Sequence, residues 1–166
     1  IGGVLPFFVE SFSALIAGRL ILGIGEAFIL TIANILLGDY FEQIGLKGPV
    51  AIVTDQNVSP FYLNRTRENL IHAGYQVTEM IVPAGEQHKT MSTVMHLWDN
   101  FLEAGLERGS TVLALGGGVV TDMAGFAAST FLRGVAWVAC PTSLLGMVDA
   151  SLGGKTGVDL AQGKNL

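Results

Sequence analysis

Residues 111–133, TVLALGGGVVTDMAGFAASTFLR, constrain the fold more than any other stretch of the chain. A short apolar run ends in Gly116, Gly117 and Gly118 and reopens as a run of small residues carrying Asp122. The pattern predicts a strand, a tight turn free of side chains, and a helix N-terminus with exposed backbone N–H groups. Such a turn lets the backbone approach a pyrophosphate, which the positive helix end then favours. A nucleotide cofactor is therefore the first functional expectation.

From Gly48 onward the chain repeats this alternation. Strands are predicted at 50–53, 76–82, 111–115 and 135–139. Helices are predicted at 62–73, stopped by Gly74, and at 91–104, with Thr90 as N-cap and Gly105 as stop. Further helices are predicted at 122–132 and, shorter, from 144 to about 151. Strands alternating with helices imply an α/β fold: a Rossmann-like, doubly wound parallel sheet with ligands at the carboxyl ends of its strands.

Composition narrows the function classes. The 166 residues carry a net charge of −5, so there is no basic footprint for nucleic acid. Cys140 is the only cysteine, which excludes an internal disulfide and a cysteine-based zinc site and fits a reducing compartment. Charged residues make up only 14%, and the deficit lies at the start, where Glu10, Arg19 and Glu26 are the only charges before residue 39. Residues 20–37 hold one charge in 18 positions, near the lower limit for a bilayer span. With GRLILGIGEA followed by DYF, residues 1–40 loosely resemble a membrane helix of a major-facilitator transporter. On that reading they are a hydrophobic N-terminal segment, either a membrane helix or misjoined sequence, with membrane contact through residues 1–38. The competing reading folds residues 21–37 as the opening strand and helix of the next domain.

Several further motifs have both a plain and a functional reading. The glycine spacing is neither GxGxxG nor GxxxxGK[ST], so the usual dinucleotide fingerprint and the ATP-type P-loop are absent. Asp122, at the predicted helix start, either complements the helix dipole or accepts from a ribose or nicotinamide amide. In VTDQNV, Asp55 and Asn57 follow the first strand, where an aspartate either builds a turn or reads a ribose hydroxyl. In PAGEQHK, Glu86 and Lys89 form a loop ion pair worth under ~1 kcal/mol, or hold ribose and phosphate in a cleft. Taken alone, the surface reading is favoured. The last segment sets Asp149, Lys155, Lys164 and Asn165 among glycines, which suits an anionic ligand. Arg133 either joins them as a guanidinium fork or is a cation at a helix end. His72, His88 and His96 show no metal-ligand spacing, and Cys140 reads as a small buried hydrophobe.

Taken together, VTDQNV, PAGEQHK, LALGGGVVTDMAGFAASTFLRG, PTSLLGMVDASLGGKTGVD and GKN resemble 3-dehydroquinate synthase, a sugar phosphate cyclase. The resemblance covers residues 45–166. It implies an NAD-binding α/β domain and, in the family, a cytoplasmic homodimer that also uses a divalent metal, zinc or cobalt. The substrate it implies is the seven-carbon sugar acid phosphate DAHP, which the family converts to 3-dehydroquinate and phosphate in the shikimate pathway. In that chemistry a substrate hydroxyl is oxidised by NAD, phosphate is eliminated, the ketone is reduced again, and the ring closes by an aldol step.

Carried over by position, Asp55 and Asn57 match contacts to the adenosine half of NAD. Ala84, Gly85, Glu86, Gln87, His88 and Lys89 match the loop around the cofactor. Gly116, Gly117, Gly118, Val119, Val120, Thr121 and Asp122 match the pyrophosphate turn, and Thr142 and Ser143 the next cofactor loop. Arg133, Asp149, Lys155, Lys164 and Asn165 match catalytic positions that hold substrate carboxylate, hydroxyls and phosphate. Lys155 and Lys164 also reach the cofactor.

The chain departs from the family pattern in three places. Thr121 replaces a glycine, which is harmless if the position is helical N1 and strained if φ is positive. PTS stands for PTT, keeping the hydroxyl. The family's metal ligands, a glutamate and two histidines, belong to a C-terminal domain expected to lie beyond this sequence, so the chain is expected to be inactive alone. Rival readings are another NAD-dependent sugar phosphate cyclase, a glycerol dehydrogenase-type alcohol dehydrogenase marked by net NADH production, and a non-catalytic membrane-tethered fragment.

Overall fold

The computed structural model describes residues 37–165. The transporter-like segment, and the choice between membrane helix and opening strand, lie outside the described residues but for their last few positions. Helix α1 (Leu37–Gln43) buries Leu37 and Phe41, so the compact unit begins ahead of the boundary near Gly45 that the motifs suggest. There follow β1 (Val50–Asp55), α2 (Ser59–His72), β2 (Val77–Val82), a 3₁₀ turn (Glu86–His88) and α3 (Met91–Glu103). After these come β3 (Thr111–Gly116), α4 (Gly118–Thr130), a second 3₁₀ turn (Phe131–Arg133), β4 (Ala136–Pro141) and a π-helical turn (Gly146–Ala150).

All four strands are parallel, in the order β2-β1-β3-β4. The chain leaves β1 toward one edge and resumes at β3 on its other side. The strand order therefore reverses between the carboxyl ends of β1 and β3, where open α/β sheets bind ligands. The expected Rossmann-like sheet is present.

Period-two alternation sorts the side chains. Val50, Ile52, Leu113 and Leu115 pack on one face with Phe41, Leu63 and Leu70 of α1 and α2. Ala51, Val53, Val112 and Ala114 pack on the other with Val94, Leu97, Phe101, Met123 and Ala127 of α3 and α4. The two central strands are covered on both faces, which is why they read as unbroken apolar runs, while β2 and β4 are half-exposed edges. No helix among the described residues is long and apolar enough to cross a membrane.

Local signals place the helix ends. The Thr90 hydroxyl accepts from the Thr93 N–H at 3.4 Å, as an N-cap should. Gly74 and Gly105 follow α2 and α3 with φ of 89° and 67°, conformations that favour glycine. Two helices begin earlier than their sequence suggests. Helix α2 starts at Ser59, with Pro60 preset for a first turn. Helix α4 starts at Gly118, because its valines and glycine, poor helix formers alone, are held by the buried sheet beneath. Its small residues also admit a neighbour: a Cβ on Gly125 would lie 2.5 Å from Thr156 Cγ2, so the C-terminal segment rests directly on the helix.

The core assignment has a stability signature. Phe101 is fully buried and stacks edge-on against Phe131 at 5.2 Å, whereas Phe61 is 77% exposed. Phe101→Ala is expected to lower unfolding free energy by about 3–5 kcal/mol in urea titration. Phe61→Ala is expected to change it by less than about 0.5 kcal/mol.

Candidate active site

The glycine turn joins β3 to α4 at the carboxyl edge of the sheet. Gly117 is the N-cap residue, with φ −79° and ψ −173°, and no side chain caps the helix. The first hydrogen bond of α4 runs from the Thr121 N–H to the Gly117 carbonyl at 3.0 Å, so the N–H groups of Gly118, Val119 and Val120 point out of the helix end without intrahelical acceptors. None of the three glycines has a positive φ; at Gly116 and Gly118 it is space that calls for glycine. A Cβ on Gly116 would sit 2.7 Å from Val120 Cβ, and one on Gly118 would sit 3.3 Å from Ala150 Cβ. The turn after β4 closes over it: the Thr142 N–H donates to the Gly116 carbonyl at 2.9 Å. Ser143 Oγ accepts from the Gly146 N–H at 3.1 Å, so this hydroxyl caps the π-helical turn.

Thr121 is helical, the fourth residue of α4 and not its first, and its buried hydroxyl donates to the Gly118 carbonyl at 3.0 Å. Asp122 stands one turn inside the helix, so the reading of it as a partner for the helix dipole falls away. Its partner is Lys89. The Lys89 side chain is 3% exposed; its ammonium lies 2.5 Å from Asp122 Oδ2 and also donates to Asn165 Oδ1.

This arrangement replaces the Glu86–Lys89 surface pair that the sequence favours. Glu86 turns outward instead and faces the exposed Lys164 at 3.7 Å. The loop between β2 and α3 owes its shape to its own bonds. Gly85 has φ of 111°, the His88 N–H donates to its carbonyl at 3.0 Å, and Gln87 Nε2 reaches the Ala84 carbonyl at 3.4 Å. The His88 carbonyl accepts from the Thr93 hydroxyl at 2.7 Å.

Beside α4 lies a cleft of about 370 Å³ lined by Asp122, Asp149, Ala150, Lys155, Thr156 and Asn165. Lys155 pairs with Asp149, both more than half exposed. Four of the residues singled out in the sequence thus meet at one cleft. Ala150 and Thr156 escaped sequence reasoning, because nothing marks an alanine or threonine except its neighbours. Arg133 is not brought here. It is exposed, with φ of 69°, beyond the far end of α4, about 20 Å along the helix from the glycine turn.

At the end of β1, Asp55 Oδ1 accepts from the N–H groups of Asn57 and Val58 at 2.8 and 2.9 Å, the turn-building use of an aspartate, and Asn57 is exposed. His72 and His96 are exposed. Among the described residues no group of three or more His, Cys, Asp or Glu is placed to hold a metal ion. Cys140 is buried, and burial pushes its thiol up to about 11, so it is not a nucleophile near neutral pH. Removing one member of the buried pair leaves an uncompensated charge: Lys89→Met is expected to lower unfolding free energy by about 3–5 kcal/mol in urea titration, and Lys89→Met/Asp122→Leu to recover part of it.

The chain's likeness to known proteins agrees with this geometry. Residues 79–166 match the profile of the family described as 3-dehydroquinate synthase N-terminal. The 3-dehydroquinate synthase of Pelobacter propionicus is 48% identical over 130 residues, 78% of this chain and 36% of that protein. That of Thermosynechococcus vestitus is 55% identical over 120 residues, 72% of this chain and 33% of that protein. The chain thus spans about a third of the length of these curated relatives. Among solved structures, 2-epi-5-epi-valiolone synthase from Streptomyces hygroscopicus, with NAD+ and Zn2+ bound, superposes with TM-score 0.67 at 37% identity, covering 72% of this chain and 34% of that one. The profile match takes in the last four residues of β2, the glycine turn and every residue lining the cleft, and the chain belongs to the 3-dehydroquinate synthase N-terminal family.

Proposed function

We propose that this chain is the NAD-binding part of a 3-dehydroquinate synthase, an enzyme that converts DAHP into 3-dehydroquinate and inorganic phosphate. The observation that carries the reading is the uncapped N-terminus of α4, set at the sheet's switch point beside a cleft with acidic and basic side chains. The residues fit a dinucleotide. N–H groups without acceptors suit a pyrophosphate, and bare glycines let it approach the backbone. When bound, NAD would supply transient oxidation of a substrate hydroxyl, which acidifies the neighbouring C–H, and would return the hydride.

The chain's own residues would do the holding. The α4 N–H groups would hold the pyrophosphate, with Thr142 and Ser143 shaping the wall beside them. Asp55 and Asn57 would lie toward the adenosine half. Asp122 fixes Lys89 within the site, so that this ammonium sits at one position instead of sweeping a volume. Lys155, steadied by Asp149, and Lys164 would meet the substrate's carboxylate and phosphate as point charges, with Asn165 hydrogen-bonding to hydroxyls. Arg133 would add a guanidinium only if the substrate-bearing site extends beyond this chain's own cleft. A zinc or cobalt ion, a homodimer and a cytoplasmic location belong to the same reading. The described residues bring together no group of three or more His, Cys, Asp or Glu that would hold that ion.

A second reading is another sugar phosphate cyclase, favoured by the superposition on 2-epi-5-epi-valiolone synthase. Phosphate release from a panel of phosphorylated sugars by the complete enzyme separates the two: release from DAHP alone supports the first.

The dinucleotide site is tested by Gly117→Asp. An aspartate at this position is a good N-cap, so thermal stability is expected to hold or rise. The same carboxylate would occupy the pyrophosphate position, so NAD affinity by calorimetry is expected to fall about tenfold or more. Unchanged affinity would count against NAD on this helix.

A further inference from the structure

Residues 157–165 are tied into the site at both ends. The Gly157 N–H reaches the Asp122 carbonyl at 3.4 Å, and the Asp159 N–H donates to the Lys89 carbonyl at 2.8 Å, where Asp159 pairs with Thr90 in a parallel bridge. Leu160 and Gly163 exchange both backbone hydrogen bonds, at 2.9 and 3.1 Å, and close a tight turn. At its far side the Asn165 N–H donates to Asp159 Oδ1 at 2.9 Å. Asn165 has φ of 56°, a left-handed conformation that asparagine tolerates but does not prefer. The Asp159 carboxylate holds it there. So held, Asn165 offers Oδ1 to the Lys89 ammonium, whose other partner is Asp122. The circuit that leaves Lys89 at its carbonyl returns to Lys89 at its ammonium.

We infer that Asp159 is a positioning residue: its carboxylate latches the 159–165 turn so that Asn165 covers and aims the buried Lys89 ammonium. Asp159 is the last residue of PTSLLGMVDASLGGKTGVD, a position to which the sequence alone assigns no role. The latch couples the loop after β2, proposed for the cofactor, to the turn bearing Lys164 and Asn165, proposed for the substrate. Its binding consequence rests on the proposed NAD reading; its structural consequence does not.

The test compares Asp159→Ala with Asp159→Asn, which keeps an oxygen acceptor without the charge. Each polypeptide is treated with limiting acetyl N-hydroxysuccinimide, and the acetylation rate of Lys89 is read by peptide mass against exposed Lys164. Alkylation of buried Cys140 reports on the global fold. The expected result is slow Lys89 acetylation in the parent and in Asp159→Asn, and about tenfold or faster acetylation in Asp159→Ala with Cys140 still protected.

Equal Lys89 protection in the alanine variant overturns the inference. So does loss of protection in the asparagine variant, or exposure of Lys89 only together with Cys140. NAD titration supplies the second arm: affinity is expected to fall in Asp159→Ala and recover in Asp159→Asn. Absence of NAD binding in the parent, with the acetylation pattern intact, would reject the proposed function and leave the latch standing.

Discussion

The Lys89–Asp122 ion pair is the contact on which the site's arrangement depends. The Lys89 side chain is only 3% exposed, and a carboxylate at 2.5 Å and an amide oxygen stand where water would otherwise solvate its ammonium. The pair joins the loop after β2 to the second turn of α4. Both elements stand at the carboxyl edge of the sheet, on either side of the β1–β3 switch point. The glycine turn, the cleft and the C-terminal segment are then set relative to one another by neighbours of these two residues. A buried pair of this kind is weak evidence of stability, since apolar replacements of similar volume often serve as well. Its value here is geometric: it fixes where a cation sits beside a helix N-terminus.

The helix end and the lysines form two anion-attracting features of different kinds. The N–H groups of α4 are fixed dipoles that cannot titrate or swing. Lys155 and Lys164 are exposed charges on flexible stems, paired with Asp149 and Glu86. A rigid donor set suits a group that stays in one place throughout a reaction, and mobile ammonium groups suit one that leaves. That division is what the proposed function, with a resident pyrophosphate and a departing phosphate, would call for.

Much of the fold was legible in the sequence because it rests on local rules. Apolar runs at 50–53 and 111–115 are strands for the reason they looked like strands, and Thr90, Gly74 and Gly105 mark helix ends through backbone chemistry that needs no distant partner. The start of α4 was less legible, since Gly118, Val119 and Val120 have poor intrinsic helix propensity and tertiary burial decides the matter.

The site was legible in its membership and obscure in its pairing. In the sequence Lys89 stands beside Glu86, three residues away, but its partner is Asp122, 33 residues away. Short spacing suggests short-range pairs, and only the fold reveals long-range ones. Arg133 shared a motif with the glycine turn, yet the length of α4 carries it to the opposite end. Asp159 closes the motif PTSLLGMVDASLGGKTGVD, but nothing in the sequence signals its role, because its contacts are to backbone carbonyl and N–H groups, which every residue possesses.

The most direct measurement of the central claim is amide chemical-shift mapping of the ¹⁵N-labelled chain during titration with NAD+. The account predicts the largest perturbations at the Gly117, Gly118, Val119 and Val120 N–H groups, with Thr142 and Lys89 moving alongside. Saturating perturbations confined to other elements, with the start of α4 unmoved, would contradict it.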